Sequence, residues 1–167
     1  LMICTDSRVA KLPTMEVVEA SLKEVGLEYE IYSGVSVEPT DVSFLEAIDF
    51  AKKGKFDGYL GVGGGSSMDT VKAANLYATY PPEDFLDYVN PPIGKGKPVP
   101  GPIKPMICIP TTAGTGSETT GVAIFDLLSM EAKTGIAHRS LRPLMGIIDP
   151  DNTKSLPKMV TACTALD

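Results

Sequence analysis

Two runs in the chain combine glycine with small hydroxyl side chains directly after an apolar stretch, a pattern that lets backbone bind an anion. In the first, Tyr59, Leu60 and Val62 read as a buried strand that stops at Gly63, Gly64 and Gly65. Ser66 and Asp69 follow at the spacing of a capping box, and Val71, Ala74 and Ala78 recur at helical spacing, so the loop opens a helix. Glycines admit a ligand close to the main chain, and the unpaired N–H groups and dipole of a helix start favour a negative charge, phosphate above all. In the second run, Met106 to Ile109 lead into Pro110-Thr111-Thr112-Ala113-Gly114-Thr115-Gly116-Ser117-Glu118. Its hydroxyls and glycines make a second polar cradle. Two such turns on neighbouring parallel strands can hold two parts of one extended ligand, as a dinucleotide lies across an open sheet. Neither run is decisive alone. From Gly61 the spacing is G-x-G-x-x-S, without the third glycine of the dinucleotide fingerprint and without the lysine of a P-loop. A glycine turn kept for structural reasons is the competing reading.

The elements that must carry these turns alternate regularly. Leu1 to Thr5 reads as a strand, and Pro13 to Gly26 as a helix with Val17, Val18, Leu22 and Val25 as its apolar positions. Leu27 to Tyr32 reads as the next strand, and Val42 to Lys53 as a helix with Phe44, Leu45, Ile48 and Ala51 on one face. With the glycine-loop strand and its helix this is β-α-β-α-β-α, which predicts an α/β fold: an open parallel sheet, Rossmann-like, with helices on both faces and ligands beyond the carboxyl ends of the strands. From Pro81 to Pro105 eight prolines break the pattern into a long surface excursion, with Gly94 to Pro98, GKGKP, as its solvated tip. Val122 to Phe125, Thr134 to Ala137 and Leu144 to Ile148 read as further strands, and a last helix begins at Pro157.

The chain has 167 residues, 43% hydrophobic and 22% charged, enough to bury the core of one domain. A net charge of −6 with no basic stripe argues against a nucleic-acid partner. Cys4, Cys108 and Cys163 are odd in number and far apart, which suggests neither a disulfide framework nor a zinc knuckle and favours a reducing compartment. No apolar stretch approaches a membrane span, and the first residues lack the pattern of a secretion signal, so no membrane partner is expected and the cytoplasm is the default location. The chain begins inside an apolar run and stops within a helix, which reads as a fragment cut at both ends.

VGGGSSMD at Val62 to Asp69, PTTAGTGSE at Pro110 to Glu118, Lys133, IIDP at Ile147 to Pro150 and TACTALD at Thr161 to Asp167 occur in an order that resembles the iron-containing (group III metal-dependent) alcohol dehydrogenases. Within them, DFLDYVNPPIGKGKP and GSETTGVAIFD are most similar to the hydroxyacid-oxoacid transhydrogenase branch. The resemblance implies a dehydroquinate synthase-like N-terminal domain over residues 1–156, with residues 157–167 starting the first helix of an all-helical domain that is absent. It implies that Gly64, Gly65 and Ser66 bind a pyrophosphate with Asp69 supporting the turn. Thr111, Thr112, Thr115 and Ser117 would line the nicotinamide side, and Lys133 would reach the nicotinamide ribose. Asp167 would be the first metal ligand, for iron or zinc, with the remaining ligands beyond the chain. Alone it does not make the three or four ligands that a metal site needs.

The implied activity is metal-dependent hydride transfer between an alcohol or hydroxyacid and a nicotinamide cofactor. In the transhydrogenase branch, 4-hydroxybutyrate would give hydride and 2-oxoglutarate would take it. The resemblance also implies a homo-oligomer for the full-length protein, and a mitochondrial location for an animal source. Many relatives place an aspartate where this chain has Ser33. Serine removes the repulsion of a 2′-phosphate without supplying a positive charge, so NAD is expected and NADP stays open. Two alternatives stand beside this reading: a dinucleotide-binding module without catalysis, and a relative of the glycerol or glycerol-phosphate dehydrogenases.

Overall fold

Successive side chains of a strand point to opposite faces, and in the central strands of this protein both faces are apolar, so helices must cover both. The computed structural model describes residues 1–167. Five parallel strands, β1 (Met2–Cys4), β2 (Glu30–Tyr32), β3 (Tyr59–Gly63), β4 (Met106–Pro110) and a short strand Met145–Gly146, line up with β1 between β2 and β3, β4 outside β3 and Met145–Gly146 at the far edge. Register pairs Met2 with Tyr59 and Tyr59 with Met106, while Ile3 pairs with Leu60 and Leu60 with Ile107. Met2, Cys4, Tyr59, Met106 and Cys108 therefore share one face, and Ile3, Leu60, Val62 and Ile109 the other.

The second face is covered by α1 (Pro13–Glu24) through Met15 and Val18, with Leu22 half-buried. The stripe is rotated from the one expected. Val17 and Val25 are 69% and 66% exposed, because residues 17 and 18 lie about 100° apart on a helix and packing against the sheet selects Val18. The first face is covered by α2 (Asp41–Gly54) and α3 (Gly65–Thr79). Thr40 caps α2 in a box with Ser43, each side chain taking a hydrogen bond from the other's backbone N–H, at 3.1 and 2.8 Å. On α2, Phe44, Ala47, Ile48 and Ala51 are buried, whereas Leu45 lies outside the stripe and is exposed.

Helix α3 is buried without interruption from Ser67 to Tyr77, because a third layer covers the side facing away from the sheet. That layer contains an antiparallel hairpin of β5 (Val122–Leu127) and β6 (Ala132–Ala137), outside the parallel sheet. Ala123, Phe125, Leu127 and Ile136 pack with Phe44, Ile48, Leu76 and Tyr77, and the rings of Phe44 and Phe125 lie 5.2 Å apart. The proline-rich excursion belongs to the same layer, with Tyr88 and Val89 in its core. Its GKGKP segment is exposed from Lys95 to Pro98, as expected of a solvated tip, but it is pinned by ion pairs. Lys95 Nζ lies 2.9 Å from Asp84 and 2.8 Å from Asp87, and Lys97 Nζ 3.0 Å from Asp87. The Asp87 side chain is 3% exposed and needs those cations where water cannot reach it. The last sheet strand is numbered β7 and leads through a 3-10 turn, Pro150–Thr153, to α4 (Lys158–Ala165).

Chain direction across the sheet reverses at β1: β2 lies to one side and β3 to the other, with their crossover helices on opposite faces. A crevice at the carboxyl ends of β1 and β3 follows from that reversal. The glycine loop opens into it.

Candidate functional site

Residues from five places meet at one cavity of about 500 Å³ beyond the carboxyl ends of the strands. Asp6 and Arg8 come from the turn after β1, Val35 to Val37 from the loop after β2, and Gly64 to Ser67 from the glycine loop. Thr111, Thr112 and Thr115 come from the turn after β4, and Asn152, Val160 and Thr164 from the C-terminal segment. The size suits a small-molecule or cofactor pocket. Six residues expected to contact a dinucleotide, Gly64, Gly65, Ser66, Thr111, Thr112 and Thr115, thus line one space.

The glycine loop separates into residues with different reasons to be glycine. Gly63 has φ +147°, a conformation L side chains rarely adopt, and a Cβ there would meet Ser67 Oγ at 2.4 Å. Gly64 has φ −78° and ψ −173°, open to any residue, and its Cβ would reach only ordinary contact with Thr112, 3.4 Å from Cγ2 and 3.5 Å from Oγ1. Backbone geometry does not demand a glycine at position 64. What a side chain there would do is fill the space between the two turns. A Cβ on Gly65 would likewise meet Thr115, 3.0 Å from Cγ2.

Gly64, not Ser66, is the N-cap of α3, and no side chain caps the helix. The capping box expected of Ser66 and Asp69 does not form. The Ser66 hydroxyl donates instead to the Val37 carbonyl, tying the loop after β2 to the glycine loop. In the first turn of α3 the Ser67 N–H donates to the Gly64 carbonyl at 3.1 Å, while the N–H groups of Gly65 and Ser66, which line the cavity, make no bond within the protein and are the donors left for an anion. On the opposite wall Thr112 Oγ1 is buried with no hydrogen-bond partner in the protein. An orphaned hydroxyl facing an uncapped helix start is what a polar ligand would satisfy, and a nicotinamide dinucleotide fits this donor set. The second turn is held at one end by the Thr111 N–H, which donates to the Gly63 carbonyl at 2.9 Å. Helix α4 presses on the middle of it, for a Cβ on Gly114 would lie 1.6 Å from the Thr164 carbonyl oxygen.

Asp69 and Ser117 do not line the cavity; they sit behind it and bind each other. Asp69 Oδ1 accepts from Ser117 Oγ at 3.0 Å, and Asp69 Oδ2 from the Ile124 N–H at 3.0 Å. Their neighbour Lys72, which the sequence reading passed over, has a fully buried side chain. Its ammonium donates to the Val122 carbonyl at 2.8 Å, Thr120 Oγ1 at 3.3 Å and Asp69 Oδ1 at 3.4 Å. Burial raises the Asp69 carboxyl above its usual range and lowers the Lys72 ammonium; each opposes the other's shift. A lysine between Val71 and Ala73 in an apolar helix, three residues from an aspartate, was the available signal.

Lys133 lies on β6, 62% exposed, with Nζ 3.0 Å from Asp126 and outside the cavity lining. Ser33 is exposed and also outside the lining. Arg8, by contrast, is a cavity-lining residue that the sequence reading did not foresee. Asp167 is the exposed last residue, and nowhere do three His, Cys, Asp or Glu side chains come together. The residues present do not make a metal site, and no chemical step is derived through one.

The family model for iron-containing alcohol dehydrogenase matches residues 1–150. This chain belongs to the iron-containing alcohol dehydrogenase family. It is 56% identical over 165 residues to the mitochondrial hydroxyacid-oxoacid transhydrogenase of Mus musculus, an alignment covering 99% of this chain and 36% of the mouse protein. Among solved structures it is similar to the iron-containing alcohol dehydrogenase of Thermococcus thioreducens, with TM-score 0.90, 27% identity, and 99% and 44% of the two chains covered. It is also similar to the sulfoacetaldehyde reductase of Bifidobacterium kashiwanohense in complex with NAD+, with TM-score 0.83, 26% identity, and 98% and 42% covered. The chain thus spans little more than a third of the length of the curated relative it matches. What it shares with the iron-containing alcohol dehydrogenase of Thermococcus thioreducens is the α/β fold over nearly its whole length.

Proposed function

We propose that this chain is the dinucleotide-binding part of an oxidoreductase that moves hydride between a small alcohol or hydroxyacid and a nicotinamide cofactor. The observation that carries the reading is the facing pair of turns: an uncapped helix start at Gly64 to Ser66 and the unpartnered Thr112 hydroxyl, lining one cavity. Gly64, Gly65 and Ser66 would hold the pyrophosphate through backbone N–H groups. Thr111, Thr112 and Thr115 would hold the nicotinamide side. Lys133 would join the nicotinamide ribose only by leaving Asp126. When bound, the nicotinamide ring supplies the hydride acceptor; the chain's own part is to bind and orient it. NAD is the proposed cofactor. Arg8 supplies a positive charge near a loop whose Ser33 carries no negative one, which keeps NADP in the comparison.

For the whole protein we propose hydroxyacid–oxoacid transhydrogenation, 4-hydroxybutyrate giving hydride and 2-oxoglutarate receiving it, on the strength of the similarity to the mouse enzyme. A catalytic metal, iron or zinc, would need ligands additional to Asp167. Taken alone, this stretch reads as a nucleotide-binding module without catalysis, which the lone carboxylate favours. A homo-oligomeric state and, for an animal source, a mitochondrial location belong to the same proposal. No helix is long and apolar enough to cross a membrane.

Calorimetric titration with NAD and NADP tests the binding part, and absence of binding to a folded chain would sink it. Turnover tests the rest. The protein extended to the length of its relatives should convert 4-hydroxybutyrate only when an oxoacid is supplied; oxidation of simple alcohols with free NAD and no oxoacid dependence would overturn the transhydrogenase assignment.

A further inference from the structure

The turn from Thr111 to Ser117 is anchored by main chain at one end and by side chains at the other. At its start the Thr111 N–H is bonded to the end of β3. Beyond Ser117 the connection to α3 rests on Asp69 and Lys72, which together contact Ser117, Thr120, Val122 and Ile124. These two side chains leave the helix whose first turn is the glycine cradle, and every segment they hold leads out of the opposite cradle. Neither of them lines the cavity. A buried ion pair is a poor way to gain stability, since desolvation consumes much of the attraction, whereas directed hydrogen bonds from a buried pair fix a position.

We propose that Asp69 and Lys72 are positioning residues for the nicotinamide side of the site: they set the spacing between the second turn and the glycine loop that a bound dinucleotide must span. The proposal rests on the cofactor reading above and adds the residues through which the two cradles are coupled. Lys72 acts through the backbone of Val122 and the hydroxyl of Thr120, and Asp69 through Ser117 and the Ile124 N–H. The adenosine side, between the turns after β1 and β2, has no contact with either residue and is independent of them.

The test compares two probes on one protein. ADP carries the adenosine and pyrophosphate; NAD adds the nicotinamide half. Calorimetric titration of Lys72→Met should show NAD binding weakened about tenfold, the size expected for loss of a hydrogen-bonded buried charge, with ADP binding within about twofold of wild type. Ser117→Ala removes one hydroxyl and keeps the fold even if the lysine variant does not; it should lower NAD affinity about threefold and leave ADP binding alone. Equal losses for NAD and ADP, or unchanged NAD binding in a variant whose Tm has dropped, would assign the pair a structural role and overturn the proposal. Wild type that binds ADP and NAD equally tightly would overturn it as well. Wild type that binds neither would remove the cofactor reading itself, an outcome visible before any variant is made.

Discussion

Replacing Gly64 with alanine separates the structural from the functional meaning of the glycine loop. The backbone at this position, φ −78° and ψ −173°, suits any residue. Alanine is a poorer N-cap than glycine by roughly 0.5–1 kcal/mol, and it restricts the unfolded chain by about as much, so the two effects nearly cancel. Tm should move by no more than about 3 °C, the shift that about 1 kcal/mol makes in a domain of this size. Binding should respond far more. The new methyl carbon would lie 3.4 Å from Thr112 Cγ2 and 3.5 Å from Oγ1, bridging the two turns and covering the Thr112 hydroxyl and the helix start that a phosphate in the cavity would approach. A phosphate kept out of the cradle loses about two charge-assisted hydrogen bonds at about 1.5 kcal/mol each, or more than a hundredfold in Kd at about 1.4 kcal/mol per tenfold. The assay is calorimetric titration with NAD beside a thermal melt of both proteins. An alanine variant that melts like wild type and binds NAD within about threefold of it would refute the cradle.

Other parts of the fold yield three further expectations. The Lys95 ammonium first, then that of Lys97, holds the Asp87 carboxyl down at about 2, so its contribution is complete above the ordinary carboxylate range and is lost as pH falls through about 2. Protection of the Lys95 and Lys97 amides, the observed exchange rate taken relative to the intrinsic rate at each pH, should therefore fall on acidification from roughly pH 4 to pH 2 and be low already at neutral pH in Asp87→Asn; protection that stays flat through that window would contradict the ion-pair clamp. Phe125, fully buried against Phe44 and Phe85, should cost about 3–5 kcal/mol when cut to alanine, read from urea unfolding, and a loss below about 1 kcal/mol would mean the hairpin is not docked on α2 and α3. Burial pushes the Cys108 thiol up to about 12 and raises that of Cys4 as well, while Cys163 is exposed, so a thiol-reactive disulfide should titrate one cysteine in the native protein and three after denaturation. Rapid labelling of Cys108 in the folded state would show that the sheet opens.

The alternating elements were legible because they are written in local periodicity. Tyr59, Leu60 and Val62 cannot be anything but interior, and a strand that ends in three glycines before Val71, Ala74 and Ala78 leaves few geometries for the loop. Beyond that, the ordered motifs placed the chain in its family. The expected cap failed because two local rules competed at one helix start: Ser66 could cap α3 or reach Val37, and only the loop after β2, 29 residues away in sequence, decided for Val37.

The same limit governs the charges. Asp69 read as a support for its own turn, yet its partners are Ser117 and Ile124, 48 and 55 residues on. Lys72 read as nothing, since lysine in a helix is usually solvated. GKGKP is exposed, as its polar residues suggest, but its capture by Asp87 was not legible, because that aspartate is buried by a layer that no window of sequence describes. Sequence alone determined where glycines and small hydroxyls would cluster after two strands, because glycine, hydroxyl and apolar spacing act over a few residues. Only the tertiary structure decided which polar side chains line the cavity and which sit behind it, because a buried charge takes its partners from whatever packs over it, and that neighbour comes from elsewhere in the chain.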